Sequence, residues 1–317
     1  MAKSVYVLSP EGLVGKSAVA LGAIEALSRH VSSVGVFRPI IRTDGHDTVL
    51  ESLVTLPGIR QTYDDAVGVP YSAIHTDPEE AMSQIIARYE ELREKHDAIV
   101  IVGSDYVGDL GSAEFSFNVA VARNLNAVTL LVVRGDGRTP EGLRNMIDSI
   151  QEEINSNHVT GLGVVATRVN GAELSDYQAA LASLELPIVA VLPENLSLTS
   201  PTVRQQFEST EAPVLYGHEE QLEQESLGVM IAAMTLPHVL AGMSPNYTLI
   251  MPADRFDLLP GLLLAHQSGG FPSISAILLV GGFEIPHEID QLISTIDPKP
   301  PIARTTFGTY TTAERMF

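Results

Sequence analysis

Between Ser9 and Ser17 the chain reads Ser-Pro-Glu-Gly-Leu-Val-Gly-Lys-Ser, directly after a short apolar run and directly before an apolar-periodic stretch. A glycine-rich turn from a strand into a helix presents backbone N–H groups at the positive end of the helix dipole, where phosphate is stabilised. In such a loop Gly12 and Gly15 permit close approach, Lys16 reaches the terminal phosphates and the Ser17 hydroxyl ligates Mg²⁺. The spacing departs from the usual pattern at one place. Pro10 stands where the leading glycine belongs, and it has no N–H to donate. The plainer alternative is a tight strand-to-helix turn with a solvated Lys16.

Other polar residues are placed to complete an anion site. Arg38, in Val36-Phe-Arg-Pro-Ile40, follows an apolar run, and its guanidinium suits a phosphate or carboxylate oxygen. Asp47 and Asp105 could bind Mg²⁺ through water, as hard oxygen ligands do, with helix cap or turn former as the competing role for each. Arg134-Gly-Asp-Gly-Arg138 is rich in turn residues and reads as a loop, with pocket lining as its second reading. Further on, Asp254-Arg255 and Gly281-Gly282 each follow an apolar run; they suit either an effector site or turn glycines with a capping ion pair. His266 reads as a helix-surface or satisfied core histidine.

Positioning these groups requires alternating strands and helices. Strands are expected at Ser4–Leu8, Ser33–Phe37, Ala98–Val102, Val128–Val133, Gly161–Thr167 and Pro187–Leu192, and helices at Ser17–His30, Pro78–Glu94, Ala113–Asn124, Pro140–Asn155 and Leu174–Leu184. The runs of Val, Ile and Leu lack a polar alternate, as strands buried on both faces require, so the fold class is α/β with a doubly wound, mainly parallel sheet. Ser, Thr, Glu, Gln and His dominate near Glu208–Glu225, which sets the expected domains at 1–215 and 216–317. In the second, smaller α/β domain the expected helices are Glu225–Ala233, Leu258–Gln267 and Glu288–Ile296. Its strands are Thr248–Pro252, Ala276–Val280 and Pro301–Thr306. A helix starting at Thr311 would have nothing to pack against, so the second domain reads as truncated.

Composition excludes several classes of function. With 19 Lys and Arg against 39 Asp and Glu, the 317 residues carry a formal charge of −20, which disfavours nucleic acid and anionic membrane surfaces as partners. Cysteine is absent, excluding disulfides, thiolate zinc sites and a cysteine nucleophile. No apolar run approaches the roughly 20 residues of a membrane span, and no leader-like segment opens the chain, so a cytoplasmic location is expected.

The strand, the Gly-Lys-Ser loop and Phe-Arg-Pro-Ile together resemble dethiobiotin synthetase and its relatives. The chain is more similar still, and over its whole length, to the amino-terminal region of long-form bacterial phosphate acetyltransferase. The supporting stretches are Val5–Ile40, Gly103-Ser-Asp-Tyr106, Glu114–Asn126, Pro187–Glu194, Ala253-Asp-Arg255 and Leu278–Glu284. The last two resemble the DRTGG domain of that family. The resemblance implies a P-loop NTPase-like fold and a non-catalytic regulatory or oligomerisation region. The reaction of acetyl-CoA with phosphate would then belong to a carboxy-terminal transferase domain, the partner of this region in the same protein. It also implies a homo-oligomer, a small-molecule effector and, with any nucleotide, Mg²⁺. The rival reading is an ATP-dependent synthetase or ATPase using Lys16 and Ser17. Three positions depart from dethiobiotin synthetase: Arg38 replaces its Lys, Gly103 its acidic residue after the third strand, and Thr167 the Asn that faces adenine.

Overall fold

The structure is a computed structural model that describes residues 3–41, 46–104, 111–198 and 200–316. It divides into two compact units, Met1–Glu194 and Asn195–Phe317. In the first the order is β1 (Lys3–Leu8), α1 (Lys16–Ser28), β2 (Val34–Ile41), α2 (Thr48–Val54), α3 (Tyr63–Ala66), β3 (Val67–Pro70), α4 (Tyr71–Thr76) and α5 (Pro78–Arg93). There follow β4 (Ala98–Val102), α6 (Gly111–Asn124), β5 (Val128–Arg134), α7 (Pro140–Ser156), β6 (Gly161–Val169), α8 (Leu174–Leu181) and β7 (Ile188–Pro193). Local chemistry starts the long helices. Asp77 accepts from the N–H groups of Glu79 and Glu80 ahead of α5, Thr139 from Gly142 ahead of α7, and a proline opens each helix.

The seven strands form one sheet in the order β3-β2-β4-β1-β5-β6-β7, and every pairing is parallel. Strand alternation sends Tyr6, Leu8, Ile99, Ile101, Leu131 and Val133 to one covered face and Val7, Val100, Val102, Leu130 and Val132 to the other. This is the doubly wound α/β sheet that the apolar runs called for. From β1 the chain crosses toward β2, whereas from β4 it crosses over β1 to β5. A crevice therefore opens between the carboxyl ends of β1 and β4, where ligands of such sheets bind.

Two differences from the expected elements bear on the site. β2 continues past Phe37 to Ile41, so Arg38 lies within the strand and not after it. The extension is supported by β3, a four-residue Val-Gly-Val-Pro strand too short to be read from periodicity; it pairs with β2 from Arg38 to Ile41. Pairing of β2 with β4 ends at Phe37, so Pro39, which lacks an N–H, falls beyond the last β4 partner.

The second unit contains α9 (Val203–Ser209), β8 (Val214–Tyr216), α10 (Glu219–Leu222), β9 (Gly228–Ile231), α11 (Leu236–Gly242) and β10 (Tyr247–Pro252). It continues with α12 (Leu259–Ser268), β11 (Ala276–Val280), α13 (His287–Ser294), β12 (Ile302–Arg304) and α14 (Thr309–Met316). Its five strands run β8-β12-β11-β10-β9, with β8 antiparallel at one edge. The composition change at 215/216 falls inside this unit, because Val203 and Phe207 of α9 pack with Ile250 and Leu278 of its sheet. The helix expected over Glu225–Ala233 is instead the edge strand β9, where Gly228 leaves room for the ring of Tyr247. Nor is the last helix without support: Thr312 and Met316 of α14 are buried, Met316 in the same core as α9.

One buried titratable group links this packing to pH. The His96 ring covers Gly35, where an added Cβ would lie 2.8 Å from its Cδ2, and its Nδ1 pairs with Ser33 Oγ at 2.7 Å. Burial, then the charge of Lys95, holds its pKa below the ordinary 6.5, against Asp65 and Asp97, which raise it. Below that ordinary value the unfolded chain takes up a proton that the folded chain refuses, so stability falls with pH until the lowered folded pKa is passed. His266 is lowered by burial in the same sense. Urea midpoints between pH 7 and 5 should fall in the parent chain and fall less steeply in His96→Gln; an unchanged slope contradicts the assignment.

Candidate phosphate-binding site

The loop between β1 and α1 turns on two left-handed residues, Leu13 (φ 56°) and Gly15 (φ 79°). Gly12 is not in that conformation, so the first left-handed position falls one residue later than the glycine pattern suggests while the second coincides with Gly15. Gly15 is the N-cap of α1, and no acidic residue lies in the helix's first turn, which leaves the positive end of the dipole uncompensated there. Leu13 is 78% exposed whereas Val14 is buried. Thr167, at the end of β6, explains why: its hydroxyl lies 2.7 Å from the Val14 carbonyl and 3.1 Å from that of Val133. The residue standing where dethiobiotin synthetase has its base-facing Asn is thus a buried pin for the β1–α1 loop.

Lys16 and Arg38 converge on one dipeptide. Both are buried, and both donate to carbonyls just past the end of β4: Lys16 Nζ to Ser104 and Arg38 Nη1 to Gly103, the latter at 3.2 Å. Lys16 is therefore not the solvated side chain of the plainer alternative. Arg38 Nε also donates to Asp47 Oδ2, while Asp47 Oδ1 caps α2 by accepting from the Leu50 N–H at 2.9 Å. Asp47 thus has both carboxylate oxygens engaged by protein donors. Ser17 is exposed on the second residue of α1. Asp105 lies outside the described residues. Among the described residues no three His, Asp or Glu side chains form a metal-binding group.

Sequence reasoning missed the network that fixes the dipeptide. Tyr6 of β1 donates to Asn118 Oδ1 at 2.7 Å, and the Ser104 N–H points to the same oxygen at 3.3 Å. Asn118 Nδ2 in turn donates to Ser104 Oγ at 2.9 Å and to the Glu114 carbonyl at 2.8 Å. Burial foremost keeps the Tyr6 phenol protonated well above its ordinary pKa; Glu114 adds to this and Arg38 opposes it. The available signal was Asn118 itself, a polar residue inside the otherwise apolar face of an expected helix. Gly103 is needed beside it, since a Cβ there would come within 3.1 Å of Asn118 Oδ1 and 3.2 Å of the Tyr6 ring.

In the second unit, Asp254-Arg255 and Gly281-Gly282 do follow adjacent parallel strands, β10 and β11. Several of their polar groups are engaged within the unit. Arg255 makes a two-pronged pair with Asp257 at 2.9 and 3.0 Å and donates to the Ala233 carbonyl at 2.7 Å. Asp254 is exposed and does not cap α12, whose N-cap is Leu258. Gly281 and Gly282 have φ of 95° and 77°, and their N–H groups donate to the carbonyls of Phe307 and Thr305 at 2.8 and 3.1 Å. Those glycines serve a left-handed turn. His266 accepts from the Ile274 N–H at 3.2 Å through Nδ1, as a satisfied, neutral histidine.

Removing one partner of a buried ion pair leaves the other charge uncompensated, at a cost of about 3–5 kcal/mol. Asp47→Asn keeps a capping oxygen for Leu50 but drops the charge facing Arg38, so it should lower stability by about 3 kcal/mol. Arg38→Met combined with Asp47→Asn should recover at least half of that loss in denaturant unfolding. A double variant no more stable than the single one would show that the loss does not come from the broken Arg38–Asp47 ion pair.

Comparison with known proteins agrees with this architecture. A family profile described as AAA domain matches residues 3–202, and one described as DRTGG domain matches residues 207–317. Phosphate acetyltransferases of Synechocystis sp. and Nitratidesulfovibrio vulgaris are 29% and 30% identical over 100% of this chain, and that of Escherichia coli is 23% identical over 91%. The chain spans about half the length of these curated relatives, 47%, 47% and 44% respectively. Among solved structures, a plasmid partition protein of Borrelia burgdorferi bound to AMPPNP aligns at 13% identity and a TM-score of 0.40, covering 61% of this chain and 87% of that one. The CBS and DRTGG domains of Clostridium perfringens pyrophosphatase, complexed with diadenosine tetraphosphate, align at 14% identity and a TM-score of 0.31, covering 55% and 68%. The chain belongs to the AAA-domain family, with a DRTGG domain following the AAA domain.

Proposed function

We propose that this chain is the regulatory and assembly region of a cytoplasmic phosphate acetyltransferase, and that it binds an anionic nucleotide or metabolite at the β1–β4 crevice without transferring acetyl groups itself. The observation that carries the binding part is the convergence of Lys16 and Arg38 on the Gly103–Ser104 carbonyls. Lys16 and the Asp47-paired Arg38, in a chain of net charge −20, supply local donors that an anion needs against the overall field. Similarity to phosphate acetyltransferases over the whole chain supports the choice of parent enzyme. In this reading acetyl transfer between CoA and phosphate is carried by a carboxy-terminal domain, and the assembly is a homo-oligomer.

An ATP-dependent synthetase acting through Lys16 and Ser17 has less support. A guanidinium stays charged and cannot become the neutral amine that a carboxylation step uses, and Arg38 is held by Asp47. Thr167 is turned to the phosphate loop, away from any role in reading a base.

Calorimetry with ATP, with and without Mg²⁺, ADP, NADH, pyruvate and phosphoenolpyruvate tests the proposal. At least one should bind at millimolar concentration or better, and Lys16→Ala should weaken it about tenfold or more, as expected for loss of a charge-assisted contact. The purified chain should form no acetyl phosphate from acetyl-CoA and phosphate. Turnover by the chain alone would overturn the assignment of acetyl transfer to another domain. ATP hydrolysis that disappears in Lys16→Ala would make the chain an ATPase.

A further inference from the structure

The turn Arg134-Gly-Asp-Gly-Arg138, which follows β5, is tied to the phosphate loop through one carboxylate. Arg138 Nη2 donates to Glu11 Oε2 at 2.7 Å and its Nη1 reaches Oε1 at 3.2 Å, while the Arg134 backbone N–H donates to the same Oε1 at 3.1 Å. A guanidinium edge joined by a backbone N–H is a donor set that receives a phosphate or carboxylate. The turn is independently braced. The Tyr177 hydroxyl lies between the carbonyls of Gly135 and Arg138, the Arg138 N–H donates to the Gly135 carbonyl at 3.1 Å, and Arg138 Nη1 also donates to the Arg134 carbonyl at 3.0 Å. Arg134 Nε and Asp136 Oδ1 stand 3.1 Å apart as a charge pair without an aligned hydrogen bond.

Glu11 itself belongs to the loop that would wrap a phosphate. Its backbone N–H donates to Ser9 Oγ at 3.1 Å, and the pair with Arg138 is 22% and 30% exposed on the two side chains, so solutes reach it. A carboxylate inside a phosphate loop opposes an incoming anion unless it is neutralised. Here the neutralising group, Arg138, is itself suited to bind that anion.

We propose that Glu11 is an internal stand-in for the ligand's anion. It fills the Arg134–Arg138 cradle in the ligand-free protein and is displaced when a phosphate-bearing ligand occupies the loop, so that this contact restrains affinity. The proposal rests on the reading of the Ser9–Ser17 loop as a phosphate site. It makes the two partners of one ion pair act with opposite sign. Glu11→Gln and Glu11→Ala free the cradle and should bind inorganic phosphate and ATP about tenfold more tightly than the parent chain. Arg138→Ala should bind them about tenfold more weakly, as loss of one charge-assisted contact implies.

Calorimetric titration of the parent chain and these three variants with phosphate and with ATP decides the matter, with thermal melts of the unliganded proteins confirming that each is folded. If the Glu11 and Arg138 variants all weaken binding, the pair is a structural brace and the stand-in role is overturned. Unchanged affinities overturn it equally. If neither the parent nor the Glu11 variants bind either anion at ten-millimolar concentration, the phosphate-site reading itself fails, an outcome distinct from binding that shifts in the wrong direction. Should Glu11→Ala not fold, Glu11→Gln, which keeps the side-chain volume, carries the same prediction.

Discussion

Two consecutive carbonyl groups at the end of β4 hold the first unit's site together. In a parallel sheet all carboxyl ends face the same way, and the residues just past them have left the ladder, so their carbonyls need new donors. Gly103 and Ser104 find them in Arg38 and Lys16, brought from β2 and from the start of α1 on opposite sides of the switch crevice. The arrangement satisfies the carbonyls and compensates two buried cations at once. Asp47 contributes the balancing negative charge and starts α2 in the same contact.

The rest of the site is built to keep those carbonyls where they are. Asn118 spans from the Tyr6 phenol to Ser104, and burial keeps that phenol a donor. Thr167 holds the loop at Val14 from the other side of β1. The loop is consequently anchored at both ends, by Lys16 at the crevice and by Glu11 at the Arg134–Arg138 turn, with Leu13 left exposed between them. The second unit is different in kind. Its glycine pair makes turn hydrogen bonds and Arg255 pairs with Asp257, while Asp254 stays exposed.

Much of the framework was legible in the residues. Uninterrupted Val, Ile and Leu runs marked the buried strands, and the helices expected from Pro78 and Pro140 start there, since both signals are local. What failed were elements whose stability is not local. β3 is four residues with a glycine and exists because β2 offers it an edge. β9 carries an Ala-rich, helix-like continuation but is held as a strand by Tyr247–Ile250 of β10. α14, which looked unsupported, is buried against residues more than a hundred positions earlier.

From the sequence alone came the α/β class, the strand-to-helix glycine loop and the two basic residues to watch, because period, glycine and charge are written residue by residue. Only the tertiary structure decided what those residues touch. Lys16 meets a carbonyl 88 positions away, Thr167 one 153 positions away and Glu11 an arginine 127 positions away, partners set by which strands lie side by side. No spacing along the chain encodes such pairings, since strand order in the sheet is fixed by long-range burial and not by neighbours in sequence.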